Sequence, residues 1–87
     1  MSDLDMDVPV DWDRENDIVY VTLLPDDLVS WTKNLDDDRL IDYSADGRVV
    51  GVEFLDASAG ISLTDVPFAH KIDELIRASG LPFKIYA

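Results

Sequence analysis

The chain has no cysteine, few basic residues and no long apolar run, and each of these absences removes a class of protein. Without cysteine, neither a disulfide framework nor a thiolate metal cluster can support a chain of 87 residues. The longest strongly apolar run, residues 18–24, is far too short to cross a bilayer, and residues 1–7 lack the basic and apolar regions of a secretory signal. We therefore expect a cytoplasmic protein that does not contact membranes.

Acidic residues dominate the charge of the chain. Nineteen Asp and Glu residues oppose seven Lys and Arg residues, which gives a formal net charge of -12. Binding of nucleic acid requires clustered cations, and here they are scattered, so we expect no nucleic-acid partner. Such a field would instead speed encounter with a basic protein partner, unless the charge serves only solubility or reflects the host.

Alternation of apolar and polar residues predicts a series of short strands. Pro9 limits the first of them to the edge of a sheet, whereas the run "IVYVTLL" is apolar on both faces and is typical of a central strand. Asp36–Asp38 is a tight turn that predicts a hairpin. The predicted strands cover residues 8–12, 18–24, 31–35, 39–43 and 48–55.

Two glycines in the segment "LIDYSADGRVVGVEFLDAS" have a structural interpretation. Gly47 stands where a type I turn followed by a left-handed residue needs it, so the strand ending at Tyr43 should turn back into the next strand. In that strand Val50, Val52 and Phe54 are predicted to share one face. Gly51 leaves a gap in the side-chain cover of the other face, where a large ring or another backbone can approach closely.

A single helix is predicted after the strands. Asp65 looks like its N-cap, Pro67 falls in its first turn, and Gly80 ends it with a left-handed residue. The helix should cover one face of the sheet, and residues 81–86 could add a short edge strand in the same subunit or in a neighbour. The apolar stripe of the helix consists of Phe68, Ile72, Leu75 and Ile76.

Together these elements predict an α+β fold. We expect a small antiparallel β-meander of about five strands with one C-terminal helix packed on it, in a single domain at residues 8–87 that follows a disordered acidic tail at residues 1–7. One helix cannot cover both faces of the sheet. The simplest cover for the second face is a second copy in a symmetric homodimer, and the alternative is a monomer whose tails fold back over that face.

The pieces "DWDRENDIVYVTL" and "LDDDRLIDYSADGRVVGVEFLDAS", within Val10 to Ser58, resemble the YuzE-like family of small bacterial proteins, domain of unknown function family 2283. The resemblance implies a compact antiparallel sheet in residues 8–59 and no established catalytic residues. It also implies a suspected pairing, in toxin and antitoxin style, of some members with a neighbouring small basic protein. Residues 60–87 depart from the shorter members as a helix and C-terminal extension.

Candidate chemistry is sparse. His70 is the only histidine and is predicted to face solvent, within reach of Glu74. Asp11, Asp13 and Glu15 alternate as at the start of a calcium loop, but the glycine and the final glutamate that such a loop requires are missing. We therefore predict no catalytic, cofactor-binding or metal-binding residue and no cofactor.

The expected function is a non-enzymatic protein-interaction module, antitoxin-like, that binds a basic partner. The alternative is a small enzyme or ligand-binding protein that uses carboxylates in a sheet cleft, drawn from Asp42, Glu53 and Asp56. Large aromatic side chains are the best candidates for interface anchors, whether with a partner or between subunits. These candidate interface residues are Trp12, Trp31, Tyr43, Phe83 and Tyr86.

Overall fold

A computed structural model describes residues 9–86, and the predicted acidic tail at residues 1–7 lies outside this range. The first strand lies at a sheet edge, as Pro9 indicated, and one α-helix follows the strands of the main sheet in the described range. None of the helices in the described part of the chain is long and apolar enough to cross a membrane. The elements are β1 (Val10–Asp13), β2 (Ile18–Thr22), β3 (Trp31–Asn34), β4 (Arg39–Tyr43), β5 (Val49–Phe54), a 3-10 helix (Ala57–Ala59), β6 (Ile61–Ser62), α1 (Ala69–Ser79) and β7 (Ile85–Tyr86).

The first five strands form one antiparallel sheet in the order β1-β2-β5-β4-β3. The β3–β4 hairpin forms around the acidic turn at residues 36–38, as predicted. The sheet departs from a simple meander because β5 lies between β2 and β4, so the centre of the sheet is β5. The α+β class and the antiparallel sheet are confirmed.

The hydrophobic core lies on the side of the sheet that faces α1, which we call the helix side. Alternate residues of the central strands point into it, and Val19, Val21 and Val52 have no exposed surface. Ile72 and Ile76 of α1 pack in the same cluster. Each such side chain contributes about 1.5–3 kcal/mol through burial, so this one layer holds the helix on the sheet.

A β-bulge alters the predicted face of one valine. The strand pairing shifts between Asp42 and Tyr43, so that Asp42 faces Gly51 while Tyr43 faces Val49. As a result Val49 packs against the core cluster, whereas Val50 is buried outside it. The prediction that Val50 packs on the same face as Val52 and Phe54 is therefore wrong, because the bulge interrupts the alternation of side chains between the two faces.

The helix starts later than predicted. It begins at Ala69, and the residue before it, Phe68, has φ 57° and makes no side-chain capping bond. Asp65 does not cap the helix, because Val66 after it is buried in the core and Asp65 itself has φ 64° instead of the extended backbone of an N-cap. Phe68 is consequently 63% exposed instead of buried. Gly80 ends the helix with φ 77°, as predicted.

The C-terminal strand pairs within the chain. β7 runs parallel to β6, with Ile61 opposite Ile85 and Ser62 opposite Tyr86. The ring of Tyr86 lies over Gly60, where an added Cβ would be 2.4 Å from a ring carbon. This pair packs on the helix side, because Ile61 and Ile85 belong to or contact the core cluster.

Candidate interaction face

Charged side chains of the five-stranded sheet are separated by face. Cross-strand partners share a face, and the register aligns Asp11 with Tyr20, Tyr20 with Glu53, and Glu53 with Leu40. The same alternation places Lys33 and Arg39, the two cations of these strands, on the helix side. The opposite face, which we call the open face, carries Asp11, Asp13, Ile18, Tyr20, Thr32, Leu40, Asp42 and Glu53.

Within residues 9–86, the elements outside the five-stranded sheet pack on the helix side. Ala57 of the 3-10 helix, Ile61 of β6, and Ile72 and Ile76 of α1 all contribute to the core cluster there. Residues of β2 show the consequence, because Val19 and Val21 are fully buried while the intervening Tyr20 keeps part of its surface. The open face of a single copy is therefore partly accessible. Its exposed residues are Asp11, Asp13 and Thr32, and its half-buried residues are Ile18, Tyr20, Leu40, Asp42 and Glu53.

A hydrogen-bond network spans the open face across three strands. The Tyr20 hydroxyl donates to Asp42 Oδ2 at 2.8 Å, and the Thr32 hydroxyl donates to Asp42 Oδ1 at 2.5 Å. The Tyr20 ring reaches Asp42 by lying over Gly51, where an added Cβ would be 2.4 Å from the tyrosine oxygen. The predicted gap at Gly51 is thus filled by a ring from the same sheet.

The surroundings of the Tyr20 hydroxyl keep it protonated. The pKa of Tyr20 lies well above its usual value. Partial burial is the largest cause, and the hydrogen bond to Asp42 and the negative charges of Asp42 and Glu53 add to it. The hydroxyl therefore remains a donor. Each Asp42 oxygen accepts one hydrogen bond from a neutral hydroxyl group of this network.

Apolar side chains accompany the carboxylates. Ile18 and Leu40 are half-buried and lie in the strand positions next to Asp13 and Glu53 on this face. Such a mixed surface offers both charge and apolar contact area. Its chemistry fits a segment that carries Lys or Arg together with apolar residues.

The predicted interface aromatics are placed elsewhere. Trp12 and Phe83 contact each other edge-to-face, with ring centroids 4.8 Å apart, and both pack on the core. Trp31 stacks on Tyr43 at 4.2 Å, near the β3 edge of the sheet. Trp31 and Tyr86 are each 49% exposed, so they are the members of the set with the most free surface. Their role at an interface stays a prediction.

The remaining candidate residues form no constellation for catalysis around a histidine. His70 is exposed and lies 3.3 Å from Glu74, as its position in the helix predicted. Asp56 lines a cavity of about 160 Å³ with Asp36, Asp38 and Arg39, apart from Asp42 and Glu53. Arg39 binds Asp36 at 2.7 Å and lowers the pKa of that carboxyl group. In the described range 9–86, no group of three His, Cys, Asp or Glu residues is placed to hold a metal ion.

The open face as a unit was not predicted from the sequence. The signal was present, because Asp11, Asp42 and Glu53 each lie between residues that point into the core. What was missing was the register that brings three separate strands together, since β5 is inserted between β2 and β4. Carboxylates that are 31 residues apart in sequence, Asp11 and Asp42, therefore reach the same surface.

A family model described as "Protein of unknown function (DUF2283)" matches residues 10–58. The match covers more than half of the chain and includes all five strands of the sheet. The YuzE-like resemblance expected over Val10 to Ser58 fits this result. No curated protein and no solved structure matches the chain.

Proposed function

The chain belongs to the DUF2283 family of proteins of unknown function, and we propose that it is a non-enzymatic, homodimeric interaction module whose open face binds a basic protein partner. The observation that carries this proposal is the separation of charge. All four carboxylates of the five main strands lie on the face that α1 leaves free, and both strand cations lie on the helix side. A sheet that only needed solubility would gain as much from mixed charges.

Two features make the open face suitable for a protein partner. Its apolar side chains, including Ile18 and Leu40, supply area that gains free energy when water is removed. Its carboxylates attract Lys and Arg over a range of about 10 Å at 0.1 M salt. The basic partner would therefore associate fast at low salt and bind with a register set by the carboxylates.

An antitoxin-like role is one form of this proposal, in which the partner is a small basic toxin. The support for it is the match between an acidic, half-apolar face and a basic protein, together with the family resemblance. Cytoplasmic location accompanies this role and is likewise a proposal.

The proposed function is tested by one charge reversal on each side of the molecule. Glu53→Lys reverses a carboxylate on the open face, and Glu74→Lys makes the same change on the exposed surface of α1. A basic protein captured from a native-host extract, or the product of the adjacent gene, is purified and titrated against both variants at low and high salt. We expect Glu53→Lys to weaken binding at least about tenfold at low salt and Glu74→Lys to change it less than about twofold.

Either of two results would overturn the proposal. One is the recovery of no basic protein that forms a salt-sensitive complex with the unmodified chain. The other is equal weakening by both variants, because net charge alone would then govern association and the open face would have no particular role.

The alternative function is a ligand binder or small enzyme at the carboxylate-lined cavity. Asp36, Asp38 and Asp56 surround it beside Arg39, which is the specific observation in its favour. Its volume of about 160 Å³ is small beside the 300–1,000 Å³ of typical ligand pockets. Arg39 also engages the backbone oxygens of Ser62 and Thr64, so its guanidinium already joins two segments of the fold. For these reasons the interaction module is the better-supported proposal.

A further inference from the structure

We propose that the second copy of the homodimer docks edge-to-edge on β3, not face-to-face on the open face, so that two sheets join into one. The inference rests on the proposed function only in taking the protein to be a homodimer. It replaces the expectation that the second copy covers the uncovered side of the sheet, because that arrangement would press the carboxylates of two open faces together. Like charges brought into contact with little solvent are costly.

Exposed apolar side chains are concentrated at this edge. Within residues 9–86, five large hydrophobic side chains are strongly exposed, and three of them, Leu28, Val29 and Trp31, lie at or just before β3. All four residues of β3 are exposed. An outer strand with free backbone groups and adjacent apolar side chains is the kind of edge that pairs with another strand.

Charge favours a second copy of this chain as the occupant of the edge. Residues 28–35 contain no Asp or Glu and one Lys, in a chain with a net charge of -12. Within residues 29–35, a two-fold pairing centred on Thr32 therefore places no carboxylate opposite another carboxylate. The other edge of the sheet is less suited, because β1 carries Asp11 and Asp13 and is preceded by Pro9, which has no N–H to donate.

Hydrogen bonding within the β3–β4 hairpin sets the register of the proposed contact. Leu35 N–H donates to the Arg39 carbonyl, and antiparallel pairs alternate, so the backbone groups of Thr32 point away from β4. A two-fold axis through Thr32 pairs it with Thr32 of the partner subunit. Trp31 then lies opposite Lys33 of the partner subunit on the helix side, where the ammonium group can form a cation–π contact with the ring.

The arrangement connects the two proposals. Joining the sheets at β3 leaves both open faces uncovered and on the same side of a continuous sheet. The Tyr20–Asp42–Thr32 network of each copy then ends at the shared edge. A basic partner long enough to cross the edge would contact both copies, and its avidity would exceed that of a single face.

The register is tested by placing a single cysteine in the chain, which has none of its own. Thr32→Cys places the two sulfur-bearing residues directly opposite each other, with Cα atoms about 5.5 Å apart, within disulfide range. Asn34→Cys is the matched control, because those positions would be about 14 Å apart. Under mild oxidation at micromolar concentration, we expect Thr32→Cys to form the covalent dimer at least about tenfold faster.

A second measurement does not depend on cysteine. Sedimentation of the full chain across a dilution series should show a reversible dimer. Trp31→Asp should raise its dissociation constant at least about tenfold, whereas Phe68→Asp, which removes another exposed aromatic, should change it less than about twofold.

A chain that is monomeric at about 100 μM, a concentration at which even weak complexes populate, would overturn the inference. So would equal cross-linking of the two cysteine variants, which would indicate random collision. The proposed function is distinguished by a separate readout, because Trp31→Asp should still bind the basic partner and remain sensitive to Glu53→Lys. An unmodified chain that is monomeric and still binds the basic partner therefore counts against the β3 interface alone.

Discussion

At the scale of single residues, the hydrogen-bond network of the open face depends on Gly51. Its missing side chain lets the Tyr20 ring cross β5 and reach Asp42. Neighbouring β5 residues Val52 and Phe54 are buried apolar side chains, so the glycine is exceptional in its strand. The sequence predicted the gap but not its occupant, because the partner strand was unknown.

Substitution of Gly51 tests this close contact. In Gly51→Ala the new Cβ would lie 2.4 Å from the Tyr20 oxygen and 2.7 Å from the Val21 carbonyl oxygen, which is backbone and cannot move freely. We expect a loss of about 1–3 kcal/mol in the free energy of unfolding, measured in urea. If Asp42 is displaced, the Thr32 hydroxyl should also lose its hydrogen bond to the Asp42 carboxylate.

Gly47→Ala provides the comparison for that measurement. Gly47 has φ 87° and nothing within 4 Å of an added Cβ, so the cost there is conformational only, about 1–2 kcal/mol. Addition of Tyr20→Phe should leave most of the Gly51→Ala cost in place, because Val21 O still obstructs the methyl group. A Gly51→Ala variant as stable as the unmodified protein would contradict the close packing described for this face.

At the scale of elements, one aspartate joins the turn after β1 to the 3-10 helix. Asp17 has φ 57°, and its carboxylate accepts hydrogen bonds from the Ser58 N–H at 3.0 Å, the Ser58 hydroxyl at 2.9 Å and Trp12 Nε1 at 3.3 Å. Its backbone oxygen accepts from the Ala57 N–H. These bonds, led by that from the Ser58 backbone, lower the pKa of Asp17.

The lowered pKa predicts how stability depends on pH. A carboxyl group whose pKa is lower in the folded state stabilises the fold above its unfolded pKa, near 4, and that contribution disappears as the pH falls through the folded value. As the pH is lowered below about 4, we expect the thermal unfolding midpoint of the unmodified chain to fall. The midpoint of Asp17→Asn should fall less over the same pH interval. Asn tolerates the left-handed backbone, so the variant isolates the charge. Parallel pH profiles for both proteins would contradict this role.

Elements differ in how far the sequence could specify them. Local chemistry predicted the Gly47 turn, the Asp36–Asp38 hairpin and the Gly80 end of α1, because each depends on residues within a few positions. Contacts between distant segments decided the rest. The β2–β5 pairing, the bulge at Asp42 and Tyr43, and the late start of α1 all depend on what packs in the core, which no short-range pattern records.

For the whole molecule, the important property is the asymmetry between the two sides of the sheet. Composition gave the net charge, but only the strand register shows that the strand carboxylates share the open face. A face of this kind is poorly suited to another copy of itself and well suited to a basic protein. The strands thus separate their carboxylates from their cations, and the proposed function and the proposed β3 interface both depend on that separation.

The most direct measurement of the central claim is a methyl NMR titration of the full chain with the purified basic partner. We expect the methyl groups of Ile18 and Leu40, on the open face, to shift and broaden, while those of Ile72 and Ile76, on the helix side, remain unchanged. Perturbation confined to the helix side, with Ile18 and Leu40 unaffected at saturation, would contradict the account.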